Sequence, residues 1–248
     1  MMWKEYTGLP MNVAIDDGYA YDVQQLPFIQ GAFQMDTDEY DNKDNWNAID
    51  PNLISNYLFY GSFWDGIQIL PLADDLKTAT AAPKTIARRL EKAVALEDVT
   101  NPETFTMEGD ESIEAGDNAI EAPFVIERDG WYYLFVSWDY CCRGKNSTYK
   151  TVYGRSRSIT GPYLDKNGKD MAFGGGTLLV GPNNTYFGVG HCSAYEIKVP
   201  NSMLVKNDKG AKANQWFFVS HAYDIEQNGR AKLFLRRLHF TPDGWLTL

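Results

Sequence analysis

Tyr133-Leu134-Phe135-Val136-Ser137-Trp138-Asp139 is an aromatic-rich run that ends in a short polar tail, and the chain repeats it. Tyr57-Leu58-Phe59-Tyr60-Gly61-Ser62-Phe63-Trp64-Asp65 comes before it, and Trp216-Phe217-Phe218-Val219-Ser220-His221-Ala222-Tyr223-Asp224 comes after. Aromatic side chains fit a pleated, half-buried surface, so each copy reads as a strand. The copies start 76 and 83 residues apart. Solenoid repeats span about 20 to 45 residues, so this spacing suits propeller blades that carry long loops instead.

Strand signals surround each copy. Asp129-Gly130 is a tight-turn pair that joins Ala122-Pro123-Phe124-Val125-Ile126-Glu127 to the run from Trp131 as a hairpin. Further alternating runs lie at Thr151 to Ser156 and Lys232 to Leu238. Only Pro83 to Leu96, with Arg88, Arg89 and Lys92, offers a turn of helix, and a basic hairpin loop is the equal alternative. The acidic run from Asp36 to Asp44 reads as a solvated loop rather than a cation site. The expected class is all-β, an incomplete β-propeller of about three to four blades of four strands each. Residues 1–45 form an atypical N-terminal segment without a copy of the repeat. Residues 46–248 form the propeller domain, incomplete on its N-terminal side.

The 248 residues, 44% hydrophobic and 14% aromatic, suffice for a sizeable core. A net charge of -10 and a pI near 4.8 would repel phosphate backbones, and no Lys/Arg run interrupts that acidity. No apolar stretch approaches the roughly 20 residues that cross a bilayer, and Met1 to Tyr6 lacks a basic-then-apolar leader. The expectation is a soluble chain with no nucleic-acid or membrane partner. Three cysteines fit neither a disulfide framework nor a four-thiolate zinc site. For the adjacent Cys141 and Cys142 the expectation is two partly buried thiols rather than a vicinal bridge.

Two carboxylates sit in apolar strand starts instead of charged loops. Asp50 lies in Trp46-Asn47-Ala48-Ile49-Asp50-Pro51-Asn52, and Glu121 in Asn118-Ala119-Ile120-Glu121-Ala122-Pro123-Phe124. In a propeller register both open the innermost strand of consecutive blades and point at the central channel. Cleaving a glycosidic bond needs a proton for the leaving oxygen and a carboxylate to activate water or attack the sugar. An apolar setting and a neighbouring carboxylate both favour a protonated acid. The competing reading is an acid that caps a turn at a strand end.

Further motifs narrow the choice. The runs Asn47-Ala48-Ile49-Asp50-Pro51, Tyr60-Gly61-Ser62-Phe63-Trp64, Ile120-Glu121-Ala122-Pro123-Phe124 and Asp139-Tyr140-Cys141-Cys142-Arg143-Gly144 occur in that order. Gly154-Arg155-Ser156, Ile159-Thr160-Gly161-Pro162-Tyr163, Gly174-Gly175-Gly176-Thr177, Gly190-His191-Cys192-Ser193, His221-Ala222-Tyr223-Asp224 and Asp243-Gly244-Trp245 complete the set. Together they resemble the endo-arabinanases of glycoside hydrolase family 43.

The resemblance implies a five-bladed β-propeller that hydrolyses α-1,5-linked arabinofuranosyl bonds of plant arabinan with inversion. By this resemblance Glu121 matches the general acid, and Asp50 the aspartate that orients the acid and modulates its pKa. His191 matches a channel histidine that contacts a central cation, calcium above all, through water; on its own, a lone histidine reads as a structural residue. Ser62, Trp64, Trp138 and Arg155 fall in motif segments and are expected to contact arabinan or an arabino-oligosaccharide. No organic cofactor is implied, and a secreted or periplasmic location is.

The sequence departs from the family at one catalytic position. The family's base is an aspartate in a His-Asp-Pro-like strand of the first blade, whereas Asp50-Pro51 is the only Asp-Pro here. Ile15-Asp16-Asp17-Gly18 reads as a turn, and neither it nor Asp22 carries the motif. No base is assigned, and the chain alone is expected to hydrolyse arabinan poorly, with self-association through its open propeller edge. The alternatives are a non-catalytic sugar-binding propeller remnant, and a family-43 enzyme that cleaves xylosides or terminal arabinofuranosides.

Overall fold

A computed structural model describes residues 48–63, 65–90, 119–198 and 214–248. Among these, twelve strands form three four-stranded antiparallel sheets, each a simple meander. The first holds β1 (Asn52–Ile54), β2 (Tyr57–Tyr60), β3 (Ile67–Pro71) and β4 (Lys84–Ala87). The second holds β5 (Ile120–Arg128), β6 (Trp131–Trp138), β7 (Lys150–Ser156) and β8 (Thr177–Val180). The third holds β9 (Tyr186–Lys198), β10 (Asn214–Asp224), β11 (Arg230–Phe240) and β12 (Leu246–Thr247). This is the expected all-β blade pattern, and the three aromatic copies fall on β2, β6 and β10, the second strand of each sheet.

The predicted hairpin is present. Arg128 pairs with Trp131 across Asp129 and Gly130, whose φ values of 53° and 71° are the left-handed pair that a two-residue turn matching strand twist requires.

The reading of Pro83 to Leu96 as a helical turn or basic loop is corrected over the described residues. Lys84–Ala87 is β4, with Gln68 opposite Thr85 and Ile67 opposite Ala87. Packing decides this: Ile86 and Ala87 are buried, and the following Arg88 turns inward to an ion pair with Asp65 at 2.6 Å. Residues 91–96 lie outside the described residues.

Two hydrophobic cores separate the three sheets. One gathers Phe59, Ile69, Leu134, Val136 and Met171 between the first and second sheets. The other gathers Tyr133, Phe135, Tyr153, Phe218 and Phe234 between the second and third. Successive β6 side chains go alternately to one core and the other, as the two-residue period of a strand dictates. Buried on both faces, β6 therefore reads as an unbroken apolar run. Each large apolar side chain so buried contributes about 1.5 to 3 kcal/mol.

The expectation of two thiols at Cys141 and Cys142 is also corrected: they form a vicinal disulfide in the β6–β7 connection. That connection folds back on itself, the amides of Thr148 and Tyr149 both donating to the Tyr140 carbonyl at 3.0 Å. The Cys142 amide then donates to the Tyr223 hydroxyl at 3.1 Å, tying the loop to the third sheet. Cys192 is a buried free thiol. Among the described residues no helix is long and apolar enough to cross a membrane.

Candidate active site

The inner strands β1, β5 and β9 share one backbone device near their starts. Asp50, Ala122 and His191 each have positive φ, at 57°, 54° and 49°. Non-glycine residues there cost of order 1 kcal/mol each. The β5 ladder slips between Glu121 and Phe124, and the β9–β10 ladder slips on either side of His221. Bulges of this kind re-aim side chains at a sheet rim, and here His191 and the backbone that follows Glu121 both come to Asp50.

Asp50 joins the first sheet to the second. The Ala122 amide donates to Asp50 Oδ2 at 3.1 Å, and three residues on, the Val125 amide donates to Asn52 Oδ1 at 2.9 Å. His191 Nε2 lies 3.8 Å from Asp50 Oδ1, with the imidazole 45% exposed. Both residues line a cavity of about 560 Å³ that follows the three inner strands.

The Glu121 side chain turns away from that cavity and is held at both oxygens. Tyr149 donates its hydroxyl to Oε1 at 2.5 Å, and Ser62 donates to Oε2 at 3.1 Å. Both donors are fully buried. Burial, and then the Glu121 carboxylate beside it, push the Tyr149 phenol well above its ordinary range. It therefore remains a proton donor at any working pH. Tyr149 stacks on His221 at 5.6 Å between centroids, with 24° between planes. Burial lowers the His221 pKa, and the nearby His191 lowers it further.

Tyr149 fits because Gly190 has no side chain: a Cβ there would meet the tyrosine ring at 2.3 Å. Sequence reading missed Tyr149, His221 and this glycine as site components. Gly190 and His221 stand in quoted motifs, but nothing local links either to a tyrosine in the β6–β7 connection.

The other expected sugar contacts are distributed differently. Ser62 is fully buried, which removes it from sugar and leaves it holding Glu121. Trp138 lies on the strand face opposite Ser137, under Arg89 at 4.4 Å and against Gly176, as packing between sheets. Arg155 does not join the group either. It pairs with Tyr133, four residues along β6 from Ser137, the partner of Glu121, or about 13 Å farther along the strand. There its guanidinium sits 4.4 Å from Trp131 and 3.9 Å from Trp245 and donates to the Asp243 carbonyl at 2.7 Å. Trp64, Asp16, Asp17 and Asp22 lie outside the described residues.

For the implied cation, the described residues contain no cluster of three or more His, Cys, Asp or Glu that could hold a metal. Calcium takes about six to eight oxygen ligands. The half-exposed His191 offers a nitrogen, so the described residues do not form a protein cage for it.

The family profile of "Glycosyl hydrolases family 43" matches residues 28–246. An extracellular endo-alpha-(1->5)-L-arabinanase 1 of Bacillus subtilis (strain 168) is 37% identical over 209 residues, covering 82% of this chain and 51% of that protein. Among solved structures, an exo-1,5-alpha-L-arabinanase from a bovine ruminal metagenomic library is 46% identical, with a TM-score of 0.62, covering 82% of this chain and 57% of its own. The Cellvibrio cellulosa alpha-L-arabinanase complexed with arabinohexaose is 36% identical, with a TM-score of 0.62 and the same coverages. The chain thus spans a little over half the length of the proteins it matches.

Proposed function

The chain belongs to glycosyl hydrolase family 43, and on that premise we propose that it cleaves α-1,5-linked arabinofuranosyl bonds in arabinan by inversion, with Glu121 as general acid. The observation that carries this reading is the coupling of two carboxylates at one rim. Glu121 is held at both oxygens by buried hydroxyls, and the peptide nitrogen next to it is bound by Asp50.

In this mechanism protonated Glu121 delivers its proton to the glycosidic oxygen as the bond to the anomeric carbon breaks. Asp50 is a positioning residue. Through Ala122 it fixes the backbone that carries the acid, the orienting role that the resemblance implies. Inversion further needs a carboxylate about 6.5 to 9.5 Å from the acid, to hold the attacking water. No residue is assigned to that base. A central cation, calcium by resemblance, would be held largely by water, with His191 hydrogen bonding to that shell.

Arabinan as substrate is supported by the arabinohexaose complex of the Cellvibrio cellulosa protein. Endo action follows the motif resemblance, although the named relatives include both endo and exo enzymes. The experiment is hydrolysis of linear arabinan, debranched arabinan and xylan across a protein dilution series, with Asp16→Asn, Asp17→Asn and Asp22→Asn variants alongside. Early products of mixed length support endo cleavage, and one short product supports exo cleavage. Turnover on xylan alone overturns the substrate. Concentration-independent turnover on arabinan that one aspartate variant abolishes identifies the base.

A further inference from the structure

We propose that the Cys141–Cys142 bridge is a positioning clasp for the acid. It locks Cys142 in the conformation that ties the β6–β7 connection to Tyr223, and that connection seats Tyr149 against Glu121, so reduction by a dithiol slackens the mount of the acid. The inference deepens the reading of Glu121 as the acid and rests on it.

A disulfide between neighbours closes a ring through their own peptide bond, here with the Cα atoms 3.8 Å apart. Such a ring leaves the two residues few backbone conformations. Cys142 has a φ of 65°, in the left-handed region that a Cβ disfavours. Opening the ring lets it return to the ordinary region. Closed, the ring keeps the Cys142 amide on the Tyr223 hydroxyl at 3.1 Å.

Two routes lead from that amide to the acid. Along the backbone, the Arg143 amide donates to Ser147 Oγ at 2.9 Å, the Ser147 amide to the Gly144 carbonyl at 3.0 Å, and the Tyr149 amide to the Tyr140 carbonyl at 3.0 Å. The bridge thus sits inside one closed unit that begins at Tyr140 and ends at Tyr149. Through the rings, Tyr223 meets His221 edge-on at 5.4 Å between centroids, and His221 stacks on Tyr149. The whole arrangement lies directly on β9, where a Cβ at Gly188 would meet Ser147 at 2.7 Å and the Tyr223 ring at 2.8 Å. Both routes end at the Tyr149 hydroxyl, 2.5 Å from Glu121 Oε1.

The bridge is open to attack, since Cys142 is exposed and Cys141 half-buried. A thiolate of the dithiol attacks one sulfur and the S–S bond breaks. The two cysteine sulfurs take up the dithiol's protons as thiols, and the dithiol leaves as its own disulfide. Cys192, the third cysteine, is already a thiol.

The test uses the full chain labelled with 13C at tyrosine Cζ and at the glutamate carboxyl, its NMR signals assigned by single phenylalanine substitutions and by Glu121→Gln. Dithiothreitol should displace the signals of Tyr223, Tyr149 and Glu121 and leave those of Tyr133 and Tyr153, in the core between the second and third sheets, in place. Exchange of the Cys142 amide with solvent should quicken about tenfold, the scale set by a left-handed residue that is no longer held. Cys141→Ser with Cys142→Ser should match the reduced chain. Cys141→Ser with Cys142→Gly should bring the signals back toward their oxidised positions, because glycine enters the left-handed region without steric cost. Unmoved Tyr149 and Glu121 signals on reduction overturn the proposal. Equal displacement of Tyr133 and Tyr153 also overturns it, since the bridge would then be a general brace. Serine and glycine variants that behave alike overturn the conformational lock, and should either not fold, dithiothreitol on the native chain decides alone. These signals need no turnover, so failure on arabinan would sink the reading of Glu121 without moving them.

Discussion

The amide of Ala122 donates to Asp50 Oδ2 at 3.1 Å, so the peptide that follows Glu121 is anchored to an aspartate of the preceding sheet. Asp50→Ala removes the acceptor and should cost about 1.5 to 3 kcal/mol, as for other hydrogen bonds to charged groups. Asp50→Asn retains an acceptor oxygen and should cost less, while still changing the pH profile of hydrolysis by removing the charge. Urea unfolding of the two variants checks the first expectation. Equal losses would show that geometry at Ala122 does not depend on the Asp50 oxygen.

In a background that turns natural arabinan over, Glu121→Gln should lower its hydrolysis by about a hundredfold to ten-thousandfold, the usual contribution of general acid catalysis. The loss should be much smaller on an aryl arabinofuranoside whose phenolate leaves without protonation. Matching losses on both substrates would argue against an acid role.

His221 gives stability a pH dependence. Its folded pKa lies below its ordinary value of 6.5, so over that interval the unfolded chain binds more protons and stability rises with pH. The contribution is complete above about pH 6.5 and is lost as pH falls toward the folded pKa. The urea midpoint should therefore drop on acidification through this window, and His221→Gln should flatten the drop. An unchanged slope in that variant would locate the effect elsewhere.

Asp65 faces the buried Arg88 guanidinium with contacts of 2.6 and 3.0 Å and also accepts from Thr85 at 2.6 Å. Leaving that arginine without its carboxylate should be costly, about 3 to 5 kcal/mol for Asp65→Ala. A loss under 1 kcal/mol in urea unfolding would mean that water reaches the guanidinium.

Thiol titration in denaturant should count one reactive cysteine before reduction, Cys192, and three after it. Three before reduction would remove the Cys141–Cys142 bridge.

Sequence made the sheets legible because β2, β6 and β10 occupy equivalent places between packed layers and so carry the same aromatic run. It also singled out Asp50 and His191, whose side chains lie 3.8 Å apart, and Glu121, whose following amide Asp50 binds. What it misjudged depends on direction and on distant partners. Arg155 follows a motif glycine, yet its strand end points away from Glu121, toward Trp131 and Trp245. Ser62 looked like a sugar contact and is instead sealed against Glu121. Tyr149 leaves no local trace, since its partners come from β5 and β10 and its seat is a backbone surface. Lys84–Ala87 is too short for its strand period to stand out beside two arginines.

Gly190 carries a consequence for how this chain can vary. Its absent side chain is what lets the Tyr149 ring lie flat on β9, so the acid's geometry is written partly in a residue with nothing to titrate and nothing to offer a sugar. In a saturation library selected for turnover, that position should tolerate only glycine, matching Glu121 in stringency although it lies far downstream and on another sheet. Lineages drifting from this sequence would then have to change the glycine and the tyrosine together, a paired step that single substitutions cannot reach through an active intermediate.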